Sequence, residues 1–338
     1  GSEMCIRDSC WFMDNTNSDL LSADSSWDRY WRGMKEGGQF GVGGASHPRL
    51  NQFWREYFSS MGTLSTPKTM IDIGCGDGAV VTAAVDTLGD DSLRLTCLDI
   101  SRHSLGLLRQ RYPDVHGIVA DALHVPLDSG SFDLVTSQFG IEYAGGAAFG
   151  EAVRLVAPGG QLALLVHHRA SIMYEDCSAS LEAVEGLRAC QFISRSITLF
   201  ETGFAMLRGA DRSPYDSAAQ DMLPAYRELE RIMQRHGKHV AGDTLLRLYE
   251  DVDTIHQHME RYDPAEILQW LARMDSELDG YMQIMGAMRD AALSETQFLA
   301  VAEAVKDAGL TVQQALPLRG DEVGLPIAWV LTAHRPHE

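Results

Sequence analysis

Residues 70–80 read Met70-Ile71-Asp72-Ile73-Gly74-Cys75-Gly76-Asp77-Gly78-Ala79-Val80. A short apolar run, an acid and three glycines at alternate positions lead into a helix-like stretch. Glycine lacks a Cβ, so such a turn can bend sharply and press its backbone against a ligand, and the helix behind it offers unpaired N–H groups in its first turn. Two kinds of nucleotide-like cofactor use this arrangement. A dinucleotide fold wants G-x-G-x-x-G/A with an acid roughly 20 residues further on, and Gly74, Gly76 and Ala79 meet that pattern loosely. The discriminating residue is Asp72. Two positions before the first glycine, its carboxylate would repel a pyrophosphate and would suit a cationic amino-acid end.

The order Asp-x-Gly-x-Gly-x-Gly resembles motif I of the class I S-adenosylmethionine-dependent methyltransferases, and the following 100 residues keep to that family's order. Leu95 to Ile100 is a buried strand ending in Asp99, Val119-Ala120-Asp121-Ala122 follows a third strand, and Ser131 to Gly140 is a fourth strand and its exit. Leu155 to Gly160 then turns through Pro158-Gly159-Gly160 into a fifth strand, Gln161 to Val166. The resemblance implies an α/β fold, a Rossmann-like seven-stranded mostly parallel sheet whose last strand is antiparallel. It further implies S-adenosylmethionine as cofactor, held by Asp72, Gly74, Cys75, Gly76 and Gly78, by Asp99 and Ile100 at the ribose, and by Asp121 and Ala122 at the adenine. Gln138 and Phe139 would stand beside the methyl group. Local alternatives remain for the acids. Asp99 precedes Ser101 and the helix-like Leu105 to Arg111 as a cap would; an Asp after a strand is a common turn residue, as at Asp121; and Asp72 contacts the cofactor directly, contacts it through water, or ties down the glycine loop.

Length and composition fit one elaborated globular domain, with room for two. The chain has 338 residues, 45% of them hydrophobic, and its 47 acids against 28 basic residues give a net charge of −19. That charge repels a nucleic-acid backbone, and no Lys/Arg-rich run offsets it. No apolar stretch approaches the roughly 20 residues needed to span a bilayer, and no signal-peptide pattern is visible. The six cysteines contain no Cys-x-x-Cys pair and read as reduced thiols of a cytoplasmic protein. His236/His239 and His256/His258 are close pairs without a completing Cys or carboxylate set, so no metal is expected.

Four regions follow. Residues 1–24 read as a disordered or expression-derived N-terminus. Residues 25–66 form an N-terminal helical lid, in which Trp27 to Trp31 and Phe53 to Phe58 bracket a glycine-rich stretch, 37–44. Aromatic faces suit a sulfonium or a cationic substrate; amphipathic-helix core is the alternative for the same residues. Residues 67–172 and 295–338 form the methyltransferase core. Residues 173–294 form a helical insertion with apolar periods over Leu181–Leu207, Met222–Met233, Leu245–Met259 and Ile267–Met288, punctuated by Pro214, Pro224 and Pro264. The chain then resumes with a helix over Phe298–Ala308 and strands over Thr311–Leu316 and Ile327–Ala333, similar to the family's closing antiparallel hairpin.

The acceptor pocket belongs above the fourth and fifth strand ends, as ligands do in open parallel sheets. Candidate catalytic residues are Glu142 and Tyr143 after strand four and His167 and His168 after strand five. Arg169, Tyr30 and Trp31 are the substrate-binding candidates. A His at a strand end serves as a base near neutral pH, or as a structural hydrogen-bonding group, and adjacent strand residues point to opposite sides, so at most one of the two histidines faces the pocket. Residues Thr136 to Ile141 resemble the quinone-ring C-methyltransferases, but Glu142-Tyr143 replaces their Arg-Asn, and the Asn/Asp-Pro-Pro-Tyr/Phe of amide and base N-methyltransferases is absent. The expectation is methyl transfer to a small-molecule acceptor by in-line displacement, with the helical insertion also pairing two subunits. Alternatives are non-methyl-transfer chemistry on the same cofactor, or a noncatalytic cofactor-binding scaffold.

Overall fold

The computed structural model describes residues 27–28, 31, 47–62, 66–320 and 324–337. The expectations for residues 1–24, for Tyr30 and for the glycine-rich stretch 37–44 lie outside the described residues. The chain divides into two compact units, one of Val42–Tyr174 and Ala287–Glu338 with the described N-terminal residues, the other of Glu175–Gly286.

The first unit is built on a seven-stranded sheet. Its strands are β1 (Lys68–Ile73), β2 (Leu93–Asp99), β3 (His116–Val119), β4 (Phe132–Gln138), β5 (Val156–His167), β6 (Thr311–Arg319) and β7 (Pro326–His334). In space they run β3-β2-β1-β4-β5-β7-β6. The first five are parallel, and β7 slots in antiparallel beside β5, with Leu164 opposite Leu331, before pairing with β6. Met70, Ile71 and Ile73 are wholly buried, as a central parallel strand covered on both faces requires. The edge strand β6 is exposed at most positions and carries Pro317, which an edge tolerates because no ladder bond is lost there. Strand β5 starts five residues earlier than the sequence suggests; Gly159, at φ +74°, lets the Pro158-Gly159-Gly160 turn be absorbed as an irregularity against β4.

Alternation along the strands splits the core into layers. Leu162, Leu164 and Val166 of β5 pack with Phe298, Trp329 and Leu331 on one face. Ala163 and Leu165 pack with Leu50, Trp54 and Phe58 of helix α1 (Pro48–Ser59) on the other. Helices α2 (Ala79–Leu88) and α3 (Arg102–Arg111) follow β1 and β2. Ser101 caps α3, its Oγ accepting the Ser104 N–H at 3.2 Å, so the cap is Ser101 and not Asp99.

The second unit is helical and has its own core, including Leu187, Phe192, Phe200, Leu229, Leu245, Val252 and Leu271. The single apolar period over Leu181–Leu207 is two helices, Ile172–Ala189 and Phe192–Leu207. Gln191 sits at φ +57° and ends one helix while starting the next. Both helices bury their apolar stripe in the same core, so the periodicity runs on across the break. Pro224 lies inside the helix Ser213–His236 and does not end it. Among the described residues no helix is long and apolar enough to cross a membrane. The four cysteines there, Cys75, Cys97, Cys177 and Cys190, are free thiols.

Candidate active site

Three acids stand at the C-terminal edge of the sheet. Asp72, on β1, is 1% exposed. Thr136 Oγ1 on β4 donates to its Oδ1 at 2.9 Å, while Oδ2 is buried with no hydrogen-bond partner among the described residues. Burial, with a smaller contribution from nearby Asp99, pushes the Asp72 carboxyl up to about 7. A buried acid held this way suits a cation, because an ammonium would supply both the missing donor and the opposite charge.

Asp99 ends β2. Its Oδ2 accepts the Gly76 N–H and its Oδ1 the Ser101 N–H, both at 2.8 Å. Burial raises its carboxyl despite those two bonds. A carboxylate has about four lone-pair sites, so two remain for hydroxyl donors such as a ribose diol. Asp121 closes its own turn, Oδ1 accepting the Leu123 N–H at 2.9 Å, and is partly exposed, as are Ile100 and Ala122. Cys75 is buried beside Cys97, and burial pushes its thiol up.

The glycines have separate reasons. Gly74, at φ +66°, lies where an added Cβ would stand 2.7 Å from the Gly140 Cα, so the β1 and β4 exits touch backbone to backbone. Gly76, at φ +53°, faces the indole of Trp31, which an added Cβ would meet at 2.6 Å. Trp31 is therefore at the glycine loop. Asp28, one turn earlier, accepts from Ser101 Oγ at 2.6 Å and from the His103 N–H at 3.1 Å, tying the N-terminal segment to the start of α3.

The β4 and β5 exits form the next wall. Gln138 Oε1 accepts the Trp54 indole N–H at 2.7 Å. Phe139 follows at φ +52°, a conformation unusual for a non-glycine residue and typical of functional turns. Its ring lies 4.2 Å from that of His167, and the Tyr143 ring meets His167 edge-on at 5.5 Å. Trp27 in turn packs edge-on against Tyr143 at 4.8 Å. Glu142 Oε1 is 2.7 Å from His167 Nδ1 and accepts the His167 backbone N–H at 2.9 Å. Both side chains are buried, and Glu142 Oε2 has no hydrogen-bond partner among the described residues.

His168 points to the opposite face of the sheet. It stacks on Trp329 at 4.0 Å, its Nδ1 accepts the Ala170 N–H at 2.9 Å, and burial with the Arg319 charge holds it down at about 4. It lines a cavity of about 490 Å³ together with Arg319, Leu325, Pro326 and Trp329. The Arg169 side chain is exposed. The structure thus brings Phe139, Glu142, Tyr143 and His167 together, and sets His168 and Arg169 apart from them. Among the described residues no three His, Cys, Asp or Glu side chains gather as a metal-ligand set. Sequence reasoning overlooked Thr136, Gly140 and Asp28. Thr136 shares no motif with its partner Asp72, 64 positions away, and only the β1–β4 register pairs them.

Comparison with known proteins agrees with the geometry. The methyltransferase-domain family matches residues 71–164. A demethylmenaquinone methyltransferase of Beutenbergia cavernae is 30% identical over 115 residues, covering 33% of this chain and 46% of that protein. A malonyl-acyl-carrier-protein O-methyltransferase of Pseudescherichia vulneris is 28% identical over 179 residues, covering 51% and 68%. The chain spans about half the length of the first two curated relatives it matches. Among solved structures, an S-adenosylmethionine-dependent methyltransferase of Mesorhizobium loti is 24% identical, with a TM-score of 0.29, over 34% of this chain and 53% of that one. The Asp72 oxygen left without a partner among the described residues, the glycine turn and the Asp99 carboxylate fit S-adenosylmethionine, and the family match with these relatives supports a class I S-adenosylmethionine-dependent methyltransferase domain over residues 71–164.

Proposed function

We propose that this protein transfers a methyl group from S-adenosylmethionine to a small-molecule acceptor by in-line displacement. The observation that carries the reading is the unpartnered Oδ2 of Asp72, a buried anion site at the glycine turn that an amino-acid ammonium would complete. When bound, the cofactor supplies an electrophilic methyl carbon on a sulfonium. Asp72 would hold its amino end, Asp99 its ribose hydroxyls and Asp121 its adenine amine. Phe139, Tyr143 and His167 would wall the acceptor side and keep water from it, and most of the rate would come from holding the acceptor in line in that desolvated space.

The names of two relatives, for demethylmenaquinone and for malonyl-acyl-carrier protein, support an organic acceptor. The net charge of −19 argues in the same direction, against a polyanion. Incubation with S-adenosylmethionine and an acceptor panel, followed by mass analysis, tests the proposal. A product one methyl group heavier, formed together with S-adenosylhomocysteine, is expected. Cleavage of the cofactor without a methylated product overturns it.

A further inference from the structure

We infer that His167, positioned by Glu142, takes a proton from the acceptor, and that the acceptor is therefore a planar molecule bearing a phenolic or enolic hydroxyl. The inference rests on the methyl-transfer reading above and deepens it. Glu142 sits in the short turn Ile141–Ala144 directly after the β4 exit, and His167 is the last residue of β5. One carboxylate oxygen of Glu142 receives two donors from the same residue, the His167 backbone N–H at 2.9 Å and Nδ1 at 2.7 Å. A carboxylate can only accept, so Nδ1 carries a proton, and in its neutral form the ring has its lone pair at Nε2. Nε2 makes no hydrogen bond among the described residues.

The ring cannot turn freely. Phe139 lies against it at 4.2 Å, Tyr143 meets it edge-on, and both side chains of the pair are almost fully buried. A histidine kept only for packing needs no buried carboxylate behind it. Burying Glu142 with Oε2 unpartnered is costly, and that cost is offset when the neighbouring ring becomes an imidazolium and the two form a compact ion pair.

Acceptor classes differ in what they need from such a pair. A thioether or a tertiary amine has no proton to lose, a carboxylate has already lost its own, and a thiol ionises near 8.5 unaided. A hydroxyl of phenol type, with a pKa near 10, gains most from a base working near neutral pH. The wall around the base, Phe139, Tyr143 and Trp27, is aromatic and suits a flat acceptor. In the step, the acceptor O–H proton passes to His167 Nε2 as the O–CH₃ bond forms. The C–S bond breaks with its electron pair left on sulfur, and the imidazolium afterwards gives its proton to water.

Two readouts test this on the full chain. Nitrogen-15 NMR of the imidazoles, without any acceptor, is expected to show His167 fixed as the Nδ1–H tautomer in the wild type and exchanging between tautomers in Glu142→Gln; an Nε2–H tautomer in the wild type overturns the inference. S-adenosylhomocysteine formation is then measured with phenol, catechol and 4-hydroxybenzoate, and with methyl phenyl sulfide and N,N-dimethylaniline as proton-free counterparts. Turnover of a hydroxyl acceptor is expected, with His167→Ala losing at least ~100-fold in kcat while calorimetric S-adenosylhomocysteine affinity stays unchanged. Turnover confined to the proton-free compounds, no turnover of any hydroxyl compound, or full activity in His167→Ala overturns it. Absence of S-adenosylhomocysteine binding to the wild type would instead remove the cofactor reading beneath it.

Discussion

Replacing Asp72 by Asn separates its electrostatic role from its shape. Thr136 donates to Oδ1, and an Asn oxygen in the same place still accepts that bond. The carboxyl is buried and raised from 3.8 to about 7, chiefly by desolvation and further by Asp99. Between those two values the unfolded chain has released a proton that the folded chain keeps, so this residue's contribution to stability falls as pH rises and is fully lost above about 7. The interval corresponds to roughly 4 kcal/mol, at about 1.36 kcal/mol for each tenfold change in proton concentration. The buried Asn amide has no partner and costs about 1–3 kcal/mol, but it does so at every pH and cancels from the slope. Urea denaturation of both proteins from pH 4 to pH 8 should therefore show the stability difference moving by several kcal/mol in favour of Asp72→Asn. In parallel, wild-type affinity for S-adenosylmethionine should rise with pH through about 7. The variant should lose that dependence and bind about 10- to 100-fold more weakly, as expected for a lost charge-assisted hydrogen bond. Parallel stability curves together with unchanged affinity would refute the assignment of Asp72 as a cation receptor.

Asp99→Ala removes the acceptor for the Gly76 and Ser101 N–H groups and should weaken S-adenosylmethionine binding by about 1–3 kcal/mol in calorimetry; equal affinity would contradict a ribose role. Gly74→Ala combines a left-handed backbone with a Cβ 2.7 Å from the Gly140 Cα, and should cost about 2–5 kcal/mol of stability in chemical denaturation, with an unshifted midpoint as the contrary result. In the helical unit, Leu229→Ala empties a fully buried position and should cost about 2–5 kcal/mol by the same measurement; a loss below about 0.5 kcal/mol would show that this core is not packed as described.

The sheet was legible because a buried parallel strand, a glycine turn and a helix impose local composition. Ile71 to Gly78 carries the first two within eight residues, the helix starts at Ala79, and Asp99 repeats the strand-end position on β2. The closing hairpin was legible from its apolar last strand, β7, which follows the more polar β6. The helix break at Gln191 was not, because both helices drain their apolar faces into one core and a single left-handed residue leaves no mark on periodicity. Within the site, alternation predicts that His167 and His168 diverge, but it cannot choose between them. The choice depends on Glu142, 25 positions earlier, and on the turn of Phe139 to φ +52° that sets a ring against His167. Thr136 and Gly140 act through pairing with β1, a contact that sequence spacing does not encode.

The central claim is that the glycine turn and its flanking acids bind a sulfonium cofactor and its product. Calorimetric titration of S-adenosylhomocysteine into the wild-type chain and into Asp99→Ala tests it most directly. Saturable binding at one site, weakened about tenfold or more in the variant, is the predicted result; no binding to the wild type, or equal binding to both, would contradict it.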